Sequence, residues 1–146
     1  MAALVDTNIL VYCWDWRFPE KLAVARETVR LGLDAEKICL PHQAVVEFMA
    51  VVIRPLAGGS SLLTHENAWR ETENLLSGFP ILYPNDGVVR TALRGMATYR
   101  LSWYDAHLWA YAEHYGMSEV LSEDFDHGRL YGTVRVRNPF VEAGLA

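Results

Sequence analysis

Five short apolar runs, each separated by a segment of helical periodicity, constrain this chain more than any other feature. Residues 2–5, 37–40, 79–83, 119–122 and 133–136 have the length and composition of buried strands. Between them, residues 20–33 put Leu22, Ala25, Val29 and Leu33 on one helical stripe. Residues 7–14 read as one or two helical turns, and 42–54 as a largely apolar helix with Pro41 as an early helical residue. Residues 65–77 form a more polar helix with Thr64 at its N-cap. Residues 87–99 are helical, and Ser102 opens a last helix that stops at Gly116. Strands that alternate with helices form βαβ units. The expectation is an α/β fold: a short, mainly parallel central sheet of about five strands, with helices on both faces. In such sheets ligands bind outside the carboxyl ends of the strands. A length of 146 residues fits a single domain, 1–146, and the stretch Ala57-Gly58-Gly59-Ser60-Ser61 reads as a loop within it.

The carboxylates fall where this architecture makes them costly. Asp6 ends the run Ala-Ala-Leu-Val, and Asp124 follows Val120-Leu121-Ser122. If those two strands are parallel neighbours, both acids meet at one edge of the sheet. Glu47 interrupts Val45-Val46-Glu47-Phe48-Met49, and Asp105 interrupts Trp103-Tyr104-Asp105-Ala106-His107-Leu108-Trp109. Each acid alone has a structural explanation. Asp6 caps the helix beginning at Thr7, and Asp105 completes a capping box with Ser102. Asp124 is a turn residue, and Glu47 is the wet edge of a helix on the stripe of Gln43 and Arg54. Those explanations do not account for all four together. A carboxylate cluster is costly unless cations neutralise it, and oxygen ligands without imidazole suit Mg²⁺ or Mn²⁺. A metal held in this way serves phosphoryl chemistry.

The charge balance agrees. Thirteen basic and eighteen acidic residues leave a net charge of −5, which argues against binding duplex nucleic acid by bulk positive charge. Two bound divalent ions would offset most of it. With 51% hydrophobic and 21% charged residues the chain is not disordered, and no run approaches the length of a membrane span. The N-terminus lacks a basic region before its apolar residues and reads as that of a mature cytoplasmic protein. Cys13 and Cys39 form no CxxC and read as core residues.

The order and spacing of these motifs resemble the PIN domain family, and within it the VapC-type toxins of toxin–antitoxin pairs. Leu4-Val5-Asp6-Thr7-Asn8-Ile9-Leu10 resembles the opening motif of that family, and Glu47 matches its second acid. Ser102-Trp103-Tyr104-Asp105-Ala106 matches the third and Ser122-Glu123-Asp124-Phe125 the fourth; Val136-Arg137-Asn138-Pro139-Phe140 resembles the closing strand and turn. The resemblance implies a metal-dependent endoribonuclease in which Asp6, Glu47, Asp105 and Asp124 hold one or two Mg²⁺ or Mn²⁺ ions. It implies in-line attack of water on an RNA phosphodiester, leaving a 5′-phosphate and a 3′-hydroxyl. Thr7 and Ser122 would orient acids or waters; Asn8 would do the same or only shape its turn. Asp126 either touches a second metal or lines the rim, and the rim is the preferred reading. Glu123 should point away if strand alternation continues past residue 122. An RNA substrate, a cognate antitoxin and a homodimer are the implied partners, with no membrane.

Other features carry less. His107 and His114, and Cys39 with His42, lack the partners of a zinc site. His127 reads as a turn residue or a phosphate contact. Arg129, Arg135 and Arg137 give the C-terminal region a positive character that could hold RNA or an acidic partner. Trp16 and Phe18 form a candidate partner patch. The competing functions are a receiver-like phosphoaccepting domain, a haloacid-dehalogenase-like phosphatase, and a non-catalytic binding module on the PIN fold. The first two place a lysine late in the chain, whereas the only lysines here are Lys21 and Lys37.

Overall fold

The structure, a computed structural model, describes residues 2–145. Its strands are β1 (Ala3–Val5), β2 (Ile38–Pro41), β3 (Ile81–Leu82), β4 (Glu119–Leu121), β5 (Leu130–Tyr131) and β6 (Val134–Arg137). The helices are α1 (Thr7–Tyr12), α2 (Pro19–Asp34), α3 (His42–Val52), α4 (His65–Gly78), α5 (Asp86–Tyr99), α6 (Trp103–His114) and α7 (Pro139–Glu142). The strands form one sheet in the order β3-β2-β1-β4-β6-β5, parallel except for the pairing of β5 with β6.

The central strands alternate between two cores, as a period of two requires. Ala3, Val5, Ile38, Leu40 and Leu121 face one core, which Ile9, Ala25, Ala44, Phe48 and Phe140 complete from the helices. Leu4, Cys39, Val120, Val134 and Val136 face the other, against Val88 and Ala92 of α5 and the apolar residues of α6. Tight approach holds α5 against α6. A Cβ on Gly95 would lie 2.7 Å from the Trp109 ring, so only glycine permits this spacing. Both cysteines are free thiols; Cys39 is a buried core residue as expected, whereas Cys13 is only half-buried against the core on the other face of the sheet.

The sheet has six strands rather than about five. β5 is two residues long, and Gly128 and Gly132, both at positive φ, turn the chain into and out of it. The closing turn holds a short helix, α7, capped by the Asn138 side chain on the amides of Phe140 and Val141. Pro41 is the last residue of β2 and the N-cap of α3, rather than a residue inside that helix. Among the described residues, no helix is long and apolar enough to cross a membrane.

Candidate active site

Chain order runs from β1 outward through β2 to β3, then returns to the other side of β1 at β4. This reversal leaves a crevice at the carboxyl ends of β1 and β4. Val5 stands opposite Leu121 in the parallel register, so Asp6 and Ser122 leave the sheet side by side. The Asp6 amide still bonds the Leu121 carbonyl, and the Ser122 hydroxyl donates to Asp6 Oδ2 at 2.6 Å. Asp6 takes the N-cap position of α1 without making the side-chain cap hydrogen bond.

The other acids converge on the same trough from three elements. Ser122 Oγ accepts from the Asp124 amide, which folds the turn after β4 back over the edge. Glu47 projects from α3 and is held at both oxygens: Thr7 Oγ1 donates to Oε2 at 2.9 Å, and Gln43 Nε2 donates to Oε1 at 2.8 Å. Gln43 Nε2 also lies 3.3 Å from the Tyr104 carbonyl, tying α3 to the start of α6. Asp105 sits in the first turn of α6. Its amide donates to Ser102 Oγ, so the hydroxyl half of the capping box is made, while its carboxylate lines the trough. The trough encloses about 630 Å³ and is lined by all four acids.

Asn8 stands between two of these charges. Its Nδ2 lies 3.2 Å from Asp6 Oδ2 and 3.1 Å from Asp124 Oδ2. Among the described residues, no three Asp, Glu, His or Cys side chains approach closely enough to enclose an ion as they stand. The cause is the neutral donors: Asn8, Thr7, Gln43 and Ser122 each hold a carboxylate oxygen and space the like charges apart.

The electrostatics remain those of a crowded anionic site. Burial pushes the Asp6 carboxyl up to about 7; the Ser122 hydroxyl pulls it down, and Asp124 and Asp105 push it further up. Asp105 is also raised, first by burial and then by Asp124 and Glu47, with Ser102 opposing. Asp6 and Asp105 are therefore both raised by burial and by neighbouring carboxylates. A hard divalent cation fits this donor set, which is all oxygen. Two further oxygens in the trough, Asn8 Oδ1 and Gln43 Oε1, are buried without a donor, and such orphans call for a cation or water.

The remaining sequence expectations divide. Asp126 lies outside the trough, exposed and paired with Arg129 at 3.2 Å. Glu123 does not point away. The strand ends at Leu121, so alternation stops, and Glu123 turns to the trough rim, where Lys21 binds it at 3.0 Å and Tyr12 donates to it. Lys21 is engaged by Glu123 and Tyr12 and is not among the trough-lining residues, which counts against a receiver-like or dehalogenase-like site. His127 Nδ1 accepts the Asn138 amide and so shapes the closing turn. The C-terminal arginines are all engaged: Arg129 with Asp126 and the Tyr131 ring, Arg135 with the Gly128 carbonyl, Arg137 with Glu119 and Glu142. His107 packs on Trp103, and His114 lies against Asn85 and Tyr115, so they form no pair. Gln43, Tyr104 and Arg17 also line the trough. The i, i+4 spacing of Gln43 and Glu47 was the one signal in the sequence for any of them.

The comparisons with known proteins agree with this fold. A solved structure described as a toxin–antitoxin complex from Klebsiella pneumoniae superposes with a TM-score of 0.67 at 19% identity, over 94% of this chain and 98% of that one. Mycobacterium tuberculosis VapC20, described as a sarcin–ricin loop cleaving toxin, gives 0.61 at 15% identity, over 86% and 92%. Likeness at these identities is likeness of fold. No curated protein matches the sequence. The family model for the PIN domain matches residues 3–132, nearly the whole chain, and the protein belongs to the PIN domain family.

Proposed function

We propose that this protein is a metal-dependent endoribonuclease and the toxin of a toxin–antitoxin pair. The observation that carries the reading is Asp6: a buried carboxyl raised to about 7, at the junction of two parallel strands, with Asp105 and Asp124 pressing on it. Perturbed acids in a cleft mark functional sites more often than structural ones. Solved structures of the same fold are described as a toxin–antitoxin complex and as a sarcin–ricin loop cleaving toxin.

Asp6, Glu47, Asp105 and Asp124 would hold one or two Mg²⁺ or Mn²⁺ ions. When bound, such an ion supplies Lewis-acid polarisation of a phosphate and an activated water. The chain's own residues do the positioning. Ser122 fixes Asp6 Oδ2, Thr7 and Gln43 fix the two oxygens of Glu47, and Asn8 sets the separation of Asp6 from Asp124. Asn8 Oδ1 and Gln43 Oε1 are spare acceptors for waters in the trough. An antitoxin, a homodimer and a cytoplasmic location belong to the same reading; light scattering of the purified chain, alone and co-expressed with the product of its neighbouring gene, tests the two assemblies.

The central experiment is RNA cleavage with Mg²⁺ or Mn²⁺ against EDTA. Cleavage should need the metal, and Asp6→Asn, Glu47→Gln, Asp105→Asn and Asp124→Asn should each abolish it while the fold persists. Full activity in any one variant removes that residue from the site. Expression of the wild type should slow bacterial growth, and Asp6→Asn should not. Equal growth at matched protein levels would end the toxin assignment while leaving the nuclease.

A further inference from the structure

The trough is longer than its acids. It runs from the carboxyl edge of the sheet along α1 and α3, with Val11, Ala50 and Val51 between the two helices, and ends at Arg17 and Arg54. Thr7 and Glu47 pin the acid end, where the helices are bonded to each other. Arg54 comes seven residues after Glu47, which at 1.5 Å per residue places it about 10 Å further along the trough. One end thus carries the acids, and the other carries two arginines.

The two arginines differ in what already binds them. Arg17 is held in a fork by Asp15, Nε to one carboxylate oxygen at 2.9 Å and Nη2 to the other at 2.8 Å. Asp15 is buried, so this pair is fixed and its charge offset. Arg54 is exposed and, among the described residues, its side chain makes no ion pair and no hydrogen bond. Among the described residues, it is the one cation lining the trough whose donors are unused. A guanidinium with free donors suits a phosphate oxygen.

We infer that Arg54 binds a backbone phosphate of the RNA away from the cut, so that the strand lies along the trough between α1 and α3 rather than across its mouth. The inference rests on the ribonuclease reading and adds to it a direction and a contact. An exposed cation beyond the last turn of α3 would also interact weakly with the helix dipole, but that role changes stability and not substrate binding.

Initial rates on a fluorogenic single-stranded RNA, at fixed Mn²⁺ and several KCl concentrations, test it. Each phosphate contact to a single strand contributes about 0.7 to the log–log salt slope, so its loss costs about fivefold in affinity near 0.1 M salt. Arg54→Ala should raise KM about fivefold, leave kcat within about twofold, and flatten the salt slope by about 0.7. Arg54→Lys should restore most of the slope. Arg94→Ala removes an exposed charge on α5, outside the trough, and should change none of these values. The Arg54→Ala effect should vanish on RNAs shortened from one end only, once they no longer reach it. An unchanged KM and slope in Arg54→Ala, with wild-type cleavage intact, overturns the inference alone and leaves this end of the trough to a protein partner. An equal loss in Arg94→Ala overturns it too, since the effect is then bulk charge. If the wild type leaves all RNA intact, the ribonuclease reading fails and the inference with it.

Discussion

Replacing Asp6 by Asn should stabilise the metal-free protein at neutral pH, although it alters a buried residue of the sheet edge. Asp6 is buried, and its folded-state carboxyl lies at about 7 against an ordinary value of 3.8. Between those two values the folded state holds a proton that the unfolded state has released. Stability therefore falls as pH rises from about 4 to about 7, and stays low above that. A gap of this size corresponds to about 4 kcal/mol. Asn is neutral throughout and keeps an oxygen for the Ser122 hydroxyl, so it avoids the loss. In EDTA, the two proteins should have similar stability near pH 4, and the variant should lead by about 4 kcal/mol near pH 8. For a chain of this length that is a melting-temperature gap of about 10 °C. Urea titrations at half-unit pH steps measure it directly. Added Mn²⁺ at pH 8 should close the gap by raising the wild type, because an ion bound only by the folded state stabilises it by mass action. A difference that stays flat from pH 4 to 8, or that grows in favour of the wild type, refutes the assignment of Asp6 as a raised, uncompensated acid.

Gln43→Ala should weaken Mn²⁺ binding by about tenfold, read as a shift in the midpoint of a thermal titration, because Glu47 loses the donor that orients Oε1. Its melting temperature without metal should change little, since Gln43 is only half-buried. Asp126→Asn should keep cleavage within about twofold of wild type, as its partner is Arg129 and not the trough; complete loss would return it to the site. Gly95→Ala should destabilise the fold by about 2 kcal/mol in chemical denaturation, because the added methyl meets the Trp109 ring and the α5–α6 spacing must open.

The central strands were legible because they are buried on both faces and so read as unbroken apolar runs. β5 was not, since Leu130 is exposed and two residues leave no run to detect. α7 was hidden for a similar reason: four residues cannot show a helical period, and its cap on Asn138 is a matter of geometry. The four acids could be found because each broke an apolar pattern. What separates them could not be. Asn8 spaces Asp6 from Asp124 only because β1 and β4 are neighbours, which the sequence permitted without requiring. Gln43 reaches a carbonyl 61 residues away, and Glu123 turned inward because its strand stopped one residue short of the expected end.

The pairing of β1 with β4 also sets when the acid set can exist. Asp6 leaves the ribosome well before its hydroxyl partner Ser122, which follows 116 positions later, and Asp124 comes after that. The β4 edge in turn docks on β6, through the Ser122 amide and the Arg137 carbonyl. Such distant pairings close late, after the local helices have formed. A nascent or prematurely ended chain therefore holds Asp6 and Glu47 without the other half of the constellation. Whatever this site does, it begins only after β4 and β6 have been synthesised and have paired.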